Sequence, residues 1–88
     1  MTVDLDPDVD DEVPPSETIT PYDEAHFITY LRVLDAAAEN ADWREVARIV
    51  LHRDPDAEPE RSRRCWESHL SRAQWMTKTG YSHLLVRQ

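Results

Sequence analysis

Two prolines four residues apart, Pro55 and Pro59, constrain this chain more than any other feature. The ring of Pro55 clashes with the preceding helical turn and disfavours the α conformation of Asp54, so a helix running into it must stop near His52. Pro59 has its φ preset for a first helical turn, and Asp56, Glu58 and Glu60 place negative charge at the positive end of the helix it opens. The pair therefore predicts helix, turn, helix, with the turn at roughly Arg53 to Glu58. On the upstream side Asp42 is placed as an N-cap with Glu45 three residues later, a capping-box spacing. Trp43, Val46, Ala47, Val50 and Leu51 then recur at the i, i+3, i+4, i+7, i+8 positions of one apolar face. On the downstream helix, Ser62, Trp66, His69, Leu70, Ala73 and Thr77 share one side. Arg61, Arg64, Ser68, Ser71, Arg72 and Trp75 lie roughly opposite. Gly80, the only glycine, is expected at the left-handed position that ends that helix.

A third helix precedes these two. Thr20 as N-cap, Pro21 at the first helical position and Asp23 at the third start a helix over residues 21–39, with an apolar stripe at Phe27, Tyr30, Leu31, Leu34 and Ala38. Three amphipathic helices, short links and no strand signal predict an all-α fold. It is a small three-helix, helix-turn-helix-like bundle with a lengthened turn, spanning residues 20–88. The expected core is Phe27, Tyr30, Leu31, Leu34, Trp43, Val46, Ala47, Val50, Leu51, Trp66, Leu70 and Ala73. The short C-terminal segment carries Tyr81, Leu84 and Leu85, which are expected to fold back over Trp75 and Met76. If they do not, Ile49, Trp75 and Tyr81 are the candidates for a partner-binding surface.

Charge separates the N-terminal stretch from this bundle. Residues 1–24 hold nine acids and no Lys or Arg, and the rest of the chain is close to neutral, so the net charge of −8 belongs to the first quarter. Residues 1–19, polar and rich in Asp and Pro, are expected to form a disordered acidic tail. Such a tail either solubilises the domain or imitates the charge of nucleic acid, and Val3, Leu5, Val9 and Val13 could dock it on a partner. No apolar run reaches the length of a membrane span and no signal peptide is legible, which gives a cytoplasmic expectation. The single cysteine, Cys65, fits a reducing compartment.

Catalytic and metal chemistry find little support. Cys65 and His69 have an i, i+4 spacing but lack the two further ligands a metal site needs, and there is no phosphate loop, nucleophile elbow or candidate triad. The expectation is a non-enzyme with no catalytic residues, metal or cofactor. A helix-turn-helix raises DNA binding, for which Arg61, Arg64, Ser68 and Arg72 are the candidate residues. Against it stand the interleaved Glu58, Glu60 and Glu67 and the acids of the turn, since phosphate neutralisation supplies much of duplex affinity. Some of those arginines have acidic neighbours at helical spacing, such as Arg63 with Glu67.

The segments YDEAHFITYLRVLDA, ADWREVARIVL, DPDAEPERSRRCWESHLSRAQWMT and GYSHLL, between Thr20 and Leu85, resemble a proteobacterial domain family. That family is common on alpha-proteobacterial mobile elements and is regarded as a helix-turn-helix variant with a lengthened turn. The resemblance implies a role in regulating excision and conjugative transfer. Some members form the C-terminal part of transcriptional activators, and short acidic members act as antiactivators. The partners it implies are transcriptional activator proteins, FseA-like or of the LuxR type, TraR-like. A monomer suffices for this role, and DNA binding is expected to be weak or absent.

Overall fold

The computed structural model describes residues 8–80. Four α-helices follow in order, α1 (Pro21–Ala25), α2 (Phe27–Ala38), α3 (Trp43–Ile49) and α4 (Pro59–Trp75), and α4 continues into a π-helical turn, Met76–Gly80. No strand occurs among the described residues, and the fold is the expected small helix-turn-helix-like bundle. The long α4 is its axis, with α2 and α3 packed against it.

Capping explains where the helices begin. At α1 the Thr20 hydroxyl accepts from the Asp23 amide and the Asp23 carboxylate accepts from the Thr20 amide, a complete capping box with Pro21 behind it. The Asp42 carboxylate caps α3 through the Arg44 amide at 2.9 Å. Pro59 opens α4 as expected. In the turn, the Asp54 carboxylate accepts from the amides of Asp56 and Ala57, a local arrangement that side chains of this length favour.

Left-handed residues end two of the helices. Asn40 (φ 59) closes α2, with Ala41 N–H on the Ala36 carbonyl and Asn40 N–H on that of Ala37, the paired bonds of a Schellman motif. His52 (φ 57) closes α3 and turns Arg53 N–H onto the Ala47 carbonyl. Gly80 does not take the left-handed role expected of it; no glycine among the described residues has a positive φ, and α4 ends by widening into the π-helical turn.

The expected first helix, 21–39, is broken at His26 (φ −117, ψ 22). No proline or glycine causes the break. The His26 ring stacks on Tyr22 at 3.9 Å, with Nδ1 2.8 Å from the Tyr22 carbonyl and Nε2 3.1 Å from that of Asp8. The break resets the phase of α2, so Thr29, Tyr30 and Val33 face inward, whereas Phe27 and Leu31, expected in the core, are 38% and 56% exposed.

The core has two clusters. One contains Val9, Val33, Val46, Val50, Leu51 and Cys65, flanked by Ala36, Trp66 and Leu70; the other contains Tyr30, Ala73 and Met76, flanked by Ile19, Leu34 and Trp75. Val9 and Ile19 come from the stretch expected to be disordered. Residues 8–19 instead run without helix or strand across the bundle, burying Val9 and Val13. The acidic composition hid two valines, each of which finds an apolar site, and the charges between them find arginines. Residues 1–7 and the expected fold-back of Tyr81, Leu84 and Leu85 lie outside the described residues.

Candidate nucleic-acid and partner interface

The arginine side of α4 is the surface on which residues 8–19 lie. Arg61 Nε donates to Asp11 Oδ1 at 2.8 Å, and one of its terminal nitrogens donates to Glu58 at 2.8 Å. The hydrogen bond from Arg61 holds the Asp11 carboxyl below its ordinary range, and Glu58 and Asp11 together hold the Arg61 guanidinium charged. Arg53, from the turn, donates to the same Asp11 oxygen at 3.2 Å and to the Val9 carbonyl at 2.7 Å. Arg64 pairs with Glu12 at 3.4 Å, with both side chains well exposed. Ser68 Oγ accepts from the Val13 amide at 3.2 Å and donates to the Cys65 carbonyl.

Arg72 is a different kind of residue. It is 6% exposed and forks onto the fully buried Asp23, Nε to Oδ1 at 3.0 Å and a terminal nitrogen to Oδ2 at 2.6 Å. Its remaining donors reach the Ser16 carbonyl at 2.6 Å and the Thr18 carbonyl at 2.8 Å, and its guanidinium lies 3.9 Å over the Trp75 ring. Asp23 also accepts from the Tyr30 hydroxyl at 2.7 Å and the Thr20 amide at 2.9 Å. Burial alone would raise the Asp23 pKa, but Arg72, Thr20 and Tyr30 outweigh it and hold the carboxyl at about 2. Helical spacing makes Arg72 a candidate DNA contact; in the structure it is a buried clamp, with four of its five N–H groups on Asp23 and the Ser16 and Thr18 carbonyls.

A second buried chain of bonds has a definite direction. His69 Nδ1 lies 2.7 Å from the Cys65 carbonyl, which only accepts, so Nδ1 carries the proton and Nε2 accepts. Tyr22 donates to that Nε2 at 2.7 Å and accepts from the Asp10 amide at 3.0 Å. Burial lowers the His69 pKa and pushes the Tyr22 phenol up to about 12, keeping both neutral in these roles. Cys65 is fully buried. Its Sγ donates to the Asp10 carbonyl at 3.5 Å, and burial pushes the thiol up to about 11. Both His69 nitrogens are thus committed to protein groups, which leaves the Cys65 and His69 pair unsuited to a metal.

The candidate partner residues are dispersed. Ile49 is 62% exposed on α3. Trp75 is half-buried against the Tyr30, Ala73 and Met76 cluster, and Tyr81 lies outside the described residues. A more concentrated apolar surface occurs where the phase of α2 exposes Phe27, Ile28 and Leu31. Beside them Phe27, Tyr30, Leu31, Leu34, Ala73, Met76 and Thr77 line a groove of about 330 Å³. Ala73 stands about 120–180° around α4 from Arg61, Arg64 and Ser68, at 100° per residue.

The model of one family, the T6SS transcription factor RovC DNA-binding domain, matches residues 5–86. The chain belongs to this family. No curated protein matches it. The RovC-type match begins at residue 5 and so takes in the acidic stretch along α4, in agreement with the packing of residues 8–19 as part of the domain. Sequence reasoning missed the contacts of Asp11, Glu12 and Arg53 along α4, and it placed Asp23 in the cap of α1 without its pairing to Arg72. The available signal was the spacing of Val9 and Val13 around three acids, Asp10, Asp11 and Glu12.

Proposed function

We propose that this RovC-type domain is an antiactivator of the kind represented by QseM. It would bind a transcriptional activator of an integrative and conjugative element, FseA-like or TraR-like, and so restrain the genes of horizontal transfer. In an activator that carries such a domain, one side would meet DNA and another would meet the companion domain. A free-standing copy that keeps the second side occupies the companion domain and leaves the activator inactive, by stoichiometric binding rather than catalysis. The observation that carries this reading is the occupation of the α4 arginines by the chain's own acids, together with the burial of Arg72. A duplex must compete with these contacts for every phosphate it would neutralise. The contact for the companion domain is the apolar surface of Phe27, Ile28 and Leu31 with its groove, which fits one face of an amphipathic helix.

The second reading, a DNA-binding repressor using the second helix, is favoured by the family's description and by the exposure of Arg63 and Arg64. Leu31→Asp separates the two. Leu31 is 56% exposed, so the charge is tolerated in the free protein but is buried at the proposed contact. The expected result is a loss of activator affinity of about tenfold or more with helicity unchanged. Undiminished affinity for the activator would refute the assigned surface, and Ile49→Ala then tests the α3 candidate.

A further inference from the structure

We propose that residues 8–13 are a displaceable cover over a latent duplex-DNA surface made of Arg53, Arg61 and Arg64. This goes beyond antiactivation, which requires only that the wild-type chain ignore DNA. Two halves of the acidic stretch are held differently. Ser16 and Thr18 are tied through their carbonyls to the buried Arg72, whose guanidinium is itself fixed on the buried Asp23. Asp11 and Glu12 are held on α4 by ion pairs to Arg61 and Arg64 whose side chains are 42% to 63% exposed, and such pairs weaken as salt or a competing polyanion is added; the less exposed Arg53 and the buried Val9 and Val13 are the further contacts that opening must break. Between the halves lie Pro14 and Pro15, which have no N–H with which to add main-chain bonds and whose rings stiffen the pivot.

The chemistry of the cover matches its proposed competitor. Asp11 presents one carboxylate oxygen to two arginines at 2.8 and 3.2 Å, as a non-bridging phosphate oxygen of a duplex would. Lifting the cover removes Asp11 and Glu12 from three guanidinium groups near the N-terminal half of α4, Arg61 keeping Glu58 and Arg53 keeping the Leu51 carbonyl, and this is the part of a second helix that enters a major groove in helix-turn-helix proteins. The same movement uncovers Cys65, whose thiol donates to the Asp10 carbonyl and is the chain's single cysteine. Thiol labelling therefore reports on opening at one site.

The test compares wild type, D11N/E12Q and D11N/E12Q/R61Q/R64Q for binding a labelled duplex by fluorescence anisotropy, with Cys65 maleimide labelling alongside. The first variant keeps Val9, Val13 and the Arg72 clamp, so it should fold, as circular dichroism would verify. It is expected to bind at least about tenfold tighter than wild type at low salt. Three phosphate contacts predict that its affinity falls roughly 40-fold between about 50 and 200 mM salt. Cys65 should label faster than in wild type, and R61Q/R64Q should abolish the gained binding. A folded D11N/E12Q that binds no tighter than wild type, labels no faster, or keeps its gain without Arg61 and Arg64 would overturn the cover while leaving antiactivation standing. Wild type that itself binds the duplex tightly and with a steep salt dependence would overturn both.

Discussion

Arg72→Met is the perturbation for which the structure and the helical spacing of the sequence disagree most. As a DNA contact on an exposed face, Arg72 would be dispensable to folding, within about 0.5 kcal/mol of wild type. In the structure it donates four hydrogen bonds, two to Asp23 and one each to the carbonyls of Ser16 and Thr18. Methionine fills much of the stem but leaves the fully buried Asp23 carboxylate with only Tyr30 and Thr20 to hold it. Breaking a buried pair by removing one partner costs roughly 3–5 kcal/mol. A domain of this size has only about 4–11 kcal/mol in total, so the variant should lose much of its stability near neutral pH. Urea denaturation followed by far-UV circular dichroism measures the difference. Asp23→Asn and the double variant complete a cycle, in which the coupling should be on the order of 2 kcal/mol. A loss below about 1 kcal/mol, with a parallel fall in DNA affinity, would refute the clamp and restore the surface reading.

Acid should act through the same pair. Asp23 titrates at about 2 when folded against an ordinary 3.8, so its stabilisation is complete above the unfolded value and is lost as pH falls from about 4 towards 2. The gap corresponds to roughly 2.5 kcal/mol, and D23N should flatten that limb of the stability profile; an unchanged acid limb would contradict the assignment. Two leucines that the sequence places in one core should separate in thermal or urea melts. Leu51, fully buried, should cost about 2–5 kcal/mol when cut to alanine, whereas Leu31 should cost under about 0.5 kcal/mol. Equal losses would mean that the phase of α2 is wrong.

How much of this was legible in the sequence depends on how local the physics is. The Thr20 and Asp23 capping box, the Asp42 cap, Pro59 at the start of α4 and the Arg63 to Glu67 pair at 2.5 Å are interactions within four residues, and spacing alone located them. The break at His26 was not legible, because one of its supports is the Asp8 carbonyl, brought there by tertiary packing. From that break follows the exposure of Phe27 and Leu31. Arg72 could not be told from Arg61 or Arg64 by position on a helical wheel. What distinguishes it is Asp23, 49 residues away, whose carboxylate it meets only in the folded chain. The acidic stretch was misread for a similar reason. Averaged composition describes residues 1–19 correctly as polar, yet Val9 and Val13 are buried in the fold and Asp11 and Glu12 between them have arginines.

The proposed antiactivator would silence its partner without holding DNA itself. The most direct measurement is fluorescence anisotropy of labelled promoter DNA, titrated at low salt with this protein alone and then with this protein added to a preformed activator–DNA complex. The account predicts no change on free DNA and a stoichiometric fall in anisotropy as the activator is released. Salt-sensitive binding of this protein to free DNA, with the activator left in place, would contradict it.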